Sequence, residues 1–96
     1  MKKTYFTITG CQHYHGLFFM EKGMKVKLIK EPDNDYDKEA IRVEIAGAGK
    51  VGYVANSPYT VQGESISAGR IYDKIGKKAY GKIIQHEMDH FSGILI

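Results

Sequence analysis

The chain has 96 residues, of which 43% are hydrophobic and none is tryptophan, and its formal net charge is +3. This length predicts one domain, residues 1–96, with a single modest core. The mildly basic charge is compatible with a nucleic-acid partner but does not require one, because many proteins without such a partner carry a similar charge.

The expected compartment is the cytoplasm. Cys11 is the only cysteine, so an intramolecular disulfide is excluded and a reducing environment is suited. No apolar run approaches the ~20 residues that a membrane span needs. Residues 1–10 contain lysines but no apolar segment of the kind found in signal peptides. We therefore expect a cytoplasmic protein with no membrane partner.

The first predicted strand covers residues 4–9, which are rich in β-branched and aromatic side chains, and it ends at Gly10. A polar cluster at residues 12–15 and an apolar segment at residues 17–20 follow. Residues 23–30 alternate between apolar and basic side chains, which predicts a half-buried strand, and Ile29 breaks the alternation. The lysines assigned to its outer face are Lys25, Lys27 and Lys30. A solvated face that resists aggregation and a face that attracts phosphate both remain open.

The second half of the chain continues mainly in strands. Residues 40–45 and 50–54 form a predicted hairpin around the glycine-containing turn 47–49, and Gly52 suggests the close approach of another backbone or of a ligand. The pattern of residues 65–75 predicts a short helix that ends at Gly76. Residues 79–84 and 91–96 predict two further strands. The sum is a mainly β protein, a small and partly open barrel of five or six strands with one short helix.

A polar turn, residues 31–40, separates the second and third predicted strands. Pro32 fixes the backbone, and Asn34 is a turn former whose side chain bonds nearby backbone groups. Tyr36 and Asp37 stand at its exit. We call this segment the elbow, and we expect it to present side chains to a ligand. The alternative is that Tyr36 belongs to the core and Asp37 only caps the turn.

Two histidine motifs raise the possibility of a metal site. His86, Glu87 and His90 match H-E-x-x-H, which binds zinc when it lies on a helix. The context predicts strands instead, on which the two histidines would stand about 13 Å apart. A polar hairpin tip at residues 88–89 is the alternative to a metal-dependent hydrolase. Cys11 with His13 and His15 is a second candidate cluster. We assign neither as a metal site and expect no cofactor.

A third group of residues suggests nucleic-acid binding. It combines aromatic rings that can stack on an unpaired base with polar groups that can bond a base edge or a sugar hydroxyl. Asp37 would repel a phosphate, so it suits a hydroxyl such as the free end of a strand. The candidate residues are Gln12, His13, Tyr14, Asn34, Tyr36, Asp37, Gly52, Tyr53 and Asn56.

The segments GCQHYHG, EPDNDYDKEAIRV and KVGYVANS, in this order and spacing, resemble the HIRAN domain family. The resemblance implies an OB-like β-barrel that holds the 3′-hydroxyl end of single-stranded DNA. It implies that Tyr36 stacks on the terminal base, that Asp37 bonds the terminal hydroxyl, and that Gly52 and Tyr53 line the pocket. Lys25, Lys27 and Lys50 would add electrostatic attraction.

The sequence also departs from the family pattern. Gln12 and His13 stand where fork-remodelling members have Arg-Tyr, Asn56 replaces a lysine, and Phe91 is the candidate for a later aromatic contact. We therefore expect a non-enzymatic module that binds single-stranded DNA or its 3′ end. The alternatives are the metal-dependent hydrolase and a protein-interaction module for a separately encoded helicase, nuclease or DNA repair protein.

Overall fold

The structure is a computed structural model that describes residues 3–11, 20–57, 59–87 and 90–96. Within these ranges the chain forms six strands and one short helix. In chain order they are β1 (Tyr5–Thr9), β2 (Lys25–Lys30), β3 (Ile41–Ile45), β4 (Gly49–Val54), α1 (Ala68–Tyr72), β5 (Lys78–His86) and β6 (Phe91–Leu95). The mainly β fold class with one short helix is confirmed. Among the described residues, no helix is long and apolar enough to cross a membrane.

The strands form a closed antiparallel barrel in the order β1-β4-β3-β2-β5-β6. Strands β2, β3 and β4 follow one another as hairpins, whereas β1 closes the barrel by pairing with β4 on one side and β6 on the other. The pairing with β4 is brief, with Ile8 opposite Val54 and Thr9 opposite Tyr53. The sequence pattern predicted a partly open barrel, whereas the barrel in the structure is closed.

The core fills the barrel with the inward side chains of all six strands. Phe6 and Phe91 are its largest fully buried side chains. The ring of Phe6 lies against Gly81 and Gly93, and a Cβ atom on either glycine would overlap that ring. The two glycines therefore make room for a phenyl ring that the narrow barrel could not otherwise hold.

Helix α1 is shorter than the predicted residues 65–75. Ser67 is its N-cap, and the Ser67 hydroxyl accepts a hydrogen bond from the Arg70 amide. One residue earlier, the Ile66 amide donates to the Tyr5 carbonyl at 2.9 Å, which ties residue 66 to β1. The helix begins only after Ser67, because the backbone of Ser67 is extended, with φ −70° and ψ 160°.

Lys30 is also placed differently from the prediction. By the two-residue period of a strand it shares the side of Val26 and Leu28. Its ammonium donates to the Ile75 carbonyl at 2.8 Å and lies 4.2 Å from the centre of the Tyr72 ring. Assigning Lys30 to the outer face with the other lysines was therefore wrong, and the side chain fastens the segment after α1 to the barrel.

Candidate functional site

The elbow is built around the side chain of Asn34. Its Oδ1 atom accepts hydrogen bonds from the backbone amides of Tyr36, at 2.9 Å, and Asp37, at 3.0 Å. At the base, the Glu31 amide donates to the Ala40 carbonyl at 2.8 Å, which closes the loop between β2 and β3. One amide side chain thus replaces the backbone partners that this turn lacks and fixes the direction in which Tyr36 and Asp37 leave it.

Tyr36 lies almost wholly in solvent, with 99% of its surface exposed. The alternative that it belongs to the core is excluded. An aromatic ring held out on a rigid turn offers its face to a ligand without prior rearrangement, and stacking on a nucleic-acid base is one use of such a ring.

Asp37 has two partners inside the protein. Its Oδ1 accepts from the Glu39 amide at 2.9 Å, and its Oδ2 accepts from the Asn56 side-chain amide at 2.9 Å. Asp37 therefore does cap the turn, as the alternative stated. An ionised carboxylate has about four acceptor positions, so one hydrogen bond per oxygen leaves capacity for a hydroxyl donor.

Asn56 connects the elbow to α1. While its Nδ2 donates to Asp37, its Oδ1 accepts from the Gly69 amide in α1 at 2.8 Å. The residue that replaces a lysine of the family pattern thus holds the Asp37 carboxylate in position and carries no charge of its own.

Glu31 is the hub that joins the elbow to β4. Its Oε1 accepts from Asn34 Nδ2 at 2.9 Å and from the Tyr53 hydroxyl at 3.0 Å, while Oε2 lies 3.4 Å from Arg42 Nη1. Burial alone would raise the pKa of Glu31. The hydrogen bonds from Asn34 and Tyr53, the charge of Lys50 and the bond from Arg42 outweigh burial, so the pKa lies below its ordinary value.

Tyr53 is oriented by the same hub. Lys50 Nζ donates to its hydroxyl at 2.9 Å, and the hydroxyl in turn donates to Glu31. Burial raises the pKa of Tyr53, and the neighbouring Glu31 carboxylate adds to the rise, although the Lys50 hydrogen bond opposes it. The phenol consequently stays protonated at neutral pH and keeps its ring in one orientation.

These side chains surround a groove of about 490 Å³. It brings together five of the nine candidate residues with four others. Its lining is Asn34, Tyr36, Asp37, Ala40, Tyr53, Val54, Asn56, Ser57 and Thr60. We call this the elbow groove.

The other four candidates fall into two groups. Gln12, His13 and Tyr14 lie outside the described residues, as does His15. Gly52 is buried, and a Cβ atom there would lie 2.7 Å from the Thr9 carbonyl oxygen of β1. Gly52 thus meets the neighbouring backbone, which is one of the two roles that its position suggested.

Sequence reasoning missed Glu31, Ser57 and Thr60 as site residues. Glu31 begins the motif, and its spacing of three residues from Asn34 was the available signal, because such a spacing closes a turn. Nothing in the sequence around Ser57 and Thr60 indicated a role in the site. They line the elbow groove only because of the path that the chain takes after β4.

The three lysines that were expected to attract DNA lie in two separate places. Lys50 stands at the elbow groove through its bond to Tyr53. Lys25 and Lys27 line a separate depression of about 430 Å³ between β5 and the β3–β4 hairpin. Phe91, the candidate for a later aromatic contact, is fully buried and does not reach a ligand.

The H-E-x-x-H motif lies at a hairpin. His86 ends β5 and stacks on Phe91 with ring centres 4.2 Å apart, and the Glu87 amide donates to the His90 carbonyl at 2.8 Å. This part of the motif is not helical, and residues 88–89 lie outside the described part of the chain. No group of three metal-ligating side chains occurs within the described residues. Burial raises the pKa of the Cys11 thiol to about 11.

Comparison with known proteins identifies the family. A family model described as the HIRAN domain matches residues 1–58, which is more than half of the chain and includes the whole elbow. The chain therefore belongs to the HIRAN domain family. Domains of this family are generally binding modules, and membership indicates nucleic-acid binding, specifically of single-stranded DNA.

A solved structure shares the fold. A crystal structure described as a protein from Lactobacillus plantarum, a target of the Northeast Structural Genomics Consortium, has a TM-score of 0.69 and 26% identity. The match covers 96% of this chain and 88% of that chain. No curated protein matches the sequence.

Proposed function

We propose that this protein is a non-catalytic module that holds the 3′-hydroxyl end of single-stranded DNA in the elbow groove. The observation that carries the proposal is the pairing of an exposed ring with an anchored carboxylate: Tyr36 is 99% exposed, and the next residue, Asp37, is fixed by Asn56 at 2.9 Å. The terminal base stacks on Tyr36, and the terminal hydroxyl donates to Asp37.

The electrostatics of the elbow groove favour an unphosphorylated end. Asp37 is an acid, and Glu39 lies close enough for its Oε1 to stand 3.4 Å from Asn56 Nδ2. A terminal phosphate would bring negative charge against these carboxylates, whereas a hydroxyl adds a donor. The elbow groove thus distinguishes the two kinds of end by charge.

The decisive experiment compares oligothymidylates with a 3′-hydroxyl and a 3′-phosphate by fluorescence anisotropy. We expect tighter binding of the hydroxyl end. In Asp37→Asn the preference shrinks, because the amide no longer repels phosphate. Equal binding of both ends by the unaltered protein, or binding of neither, would refute end recognition.

The stacking role of Tyr36 has its own test. Tyr36→Ala should weaken binding by about 1–3 kcal/mol, which corresponds to a roughly 5- to 150-fold higher Kd. The thermal midpoint should not change, since the ring is in solvent. The matched control is Tyr59→Ala, which removes a ring that is 91% exposed but does not line the elbow groove. An equal loss in both variants would contradict a specific stack.

The proposal extends to the cellular setting. A module that only holds a DNA end positions it for a reaction that another protein catalyses. That partner is a separately encoded protein such as a helicase or nuclease. The process is DNA repair, and it takes place in the cytoplasm. Co-purification from the native host, with and without nuclease treatment, tests this. A partner that is recovered only through DNA supports the proposal, and recovery independent of DNA favours a protein-interaction module.

A further inference from the structure

The outer faces of β2 and β5 carry a concentration of positive charge that the elbow groove does not use. Opposite one another across these two strands stand Lys25 and Lys82, then Lys27 and Tyr80, then Ile29 and Lys78. We call this outward set of Lys25, Lys27, Lys78, Tyr80 and Lys82 the basic ladder. Inward neighbours such as Val26 and Ile83 are buried in the core, so the assignment of faces follows from the pleat.

Among the described residues, no carboxylate neutralises the charges of the basic ladder by an ion pair. Glu44 is the cross-strand neighbour of Lys27, but its carboxylate is held by Arg42 Nε at 2.7 Å. Like charges placed directly opposite one another, as in Lys25 and Lys82, destabilise a sheet. A bound polyanion would remove this repulsion.

An aromatic ring stands among these charges. Tyr80 is 39% exposed, and the Lys25 ammonium lies 4.4 Å from the centre of its ring. Lys25, Lys27 and Tyr80 border the depression of about 430 Å³, whose other lining includes the hairpin residues Ala46 and Gly47. Surfaces that bind single-stranded nucleic acid combine lysines along the path of the nucleic-acid backbone with aromatic rings on which bases stack.

The basic ladder is within reach of a strand held at the elbow groove. One cross-strand row runs from Lys50 on β4, through Glu44 and Lys27, to Tyr80 on β5. At about 4.8 Å between strands, this row is about 14 Å long. Lys50 also bonds Tyr53, which lines the elbow groove. The two places are therefore neighbours on one side of the barrel.

We propose that the basic ladder is a second contact surface that binds the phosphodiester backbone of the same DNA strand, beyond the nucleotides at its end. The inference rests on the proposed function for the source of the strand. It predicts that affinity rises with the length of the oligonucleotide, because a short one fills only the elbow groove and a longer one also reaches the basic ladder.

The test uses the full chain and two double variants. K25Q/K82Q removes two charges from the basic ladder. R70Q/K74Q removes two exposed charges on and after α1 that line neither the elbow groove nor the depression. Anisotropy is measured with 3′-hydroxyl oligothymidylates of about four and about twelve nucleotides, which lie within the range of about 4–16 nucleotides that OB folds bind. Thermal unfolding of each variant verifies that it is folded.

For the longer oligonucleotide, K25Q/K82Q should bind about tenfold more weakly at about 50 mM salt. The slope of log Kd against log salt concentration should fall by about 1.4, since each phosphate contact to a single strand contributes about 0.7. Binding of the short oligonucleotide should change less than about twofold, and R70Q/K74Q should resemble the unaltered protein for both lengths.

The outcomes separate the two proposals. An equal loss in both double variants, or an unchanged salt slope in K25Q/K82Q, overturns the basic ladder as a DNA contact and leaves the face to another anionic partner, such as an acidic protein. If K25Q/K82Q has the expected effect but the 3′-phosphate binds as well as the 3′-hydroxyl, end recognition fails and the basic ladder stands. If the unaltered protein binds no DNA, both fail.

Discussion

At the scale of single residues, Glu31 links the elbow to the barrel wall. It accepts from Asn34 on its own turn and from Tyr53 on β4, so one carboxylate sets the distance between the two sides of the elbow groove. Neither partner can be lost without leaving a part-buried acceptor less satisfied, and a hydrogen bond to a charged group contributes about 1.5–3 kcal/mol.

Stability should therefore depend on the protonation of Glu31. Its pKa is lower in the folded protein than its ordinary value, so the ionised form is the one that folding favours. This contribution is fully present above the unfolded pKa of about 4.3 and is lost as the pH falls through the folded pKa. Glu31→Gln should reduce the free energy of unfolding by about 1–2 kcal/mol at neutral pH, with a much smaller difference in strong acid.

Urea unfolding of both proteins across the acid range measures this difference. Glu64→Gln is the control, since Glu64 is exposed and outside the hub. If the difference in free energy of unfolding between Glu31→Gln and the unaltered protein stays constant down to the lowest pH, the ionisation of Glu31 does not contribute to stability. The side chain would then stabilise the protein through its packing alone.

At the scale of elements, the seam between β1 and β4 is the narrowest part of the barrel wall. Gly52 lies beside it, and a Cβ atom there would stand 2.7 Å from the Thr9 carbonyl and 3.2 Å from both the Cys11 sulfur and a methyl carbon of Ile8. A backbone oxygen cannot yield as a flexible side chain can, so the strands must separate.

Gly52→Ala should accordingly destabilise the protein by about 1–3 kcal/mol. The matched control is Gly76→Ala, because Gly76 has no heavy atom within 4 Å of the added carbon. Chemical denaturation of both variants checks the prediction. A Gly52→Ala protein as stable as the control would mean that β1 and β4 can part without loss, and thus that the seam does not hold the barrel closed.

The elements also show how far sequence reasoning reaches. The two-residue alternation located β2 and β3, because burial of one face imposes that period on the sequence. Treating Ile29 as a break in that alternation misplaced Lys30, whose ammonium donates to the Ile75 carbonyl across 45 positions of sequence. The helix was overextended at its start, where the non-local bond from the Ile66 amide to the Tyr5 carbonyl ties residue 66 to β1.

The elbow could be anticipated because its decisive contacts are local. The bonds from Asn34 Oδ1 span two and three residues, and such turns are written in the sequence by their residue types. The role of Asn56 could not be anticipated, because its partners Asp37 and Gly69 lie 19 and 13 positions away. Nor could the basic ladder, which exists only because β5 pairs with β2.

At the scale of the whole molecule, the part that matches the family model does not contain the whole barrel. Residues 1–58 include β1 to β4, whereas β5 and β6 come later and close the circle between β2 and β1. β1 forms four registered pairs with β6 but only two with β4. The described part of the later segment also supplies four fully buried hydrophobic side chains, Ala68, Ile71, Ile83 and Phe91.

A fragment of residues 1–58 should for these reasons fail to fold alone, even though it contains every candidate residue of the elbow groove. It would expose two strand edges and lack much of the core, and open edges favour aggregation. We expect no cooperative thermal transition and little dispersion of amide resonances, with the full chain as the control. A fragment that unfolds cooperatively and still prefers a 3′-hydroxyl would show that the elbow is an independent unit, and that residues 1–96 are not one domain in the sense that their pairing implies.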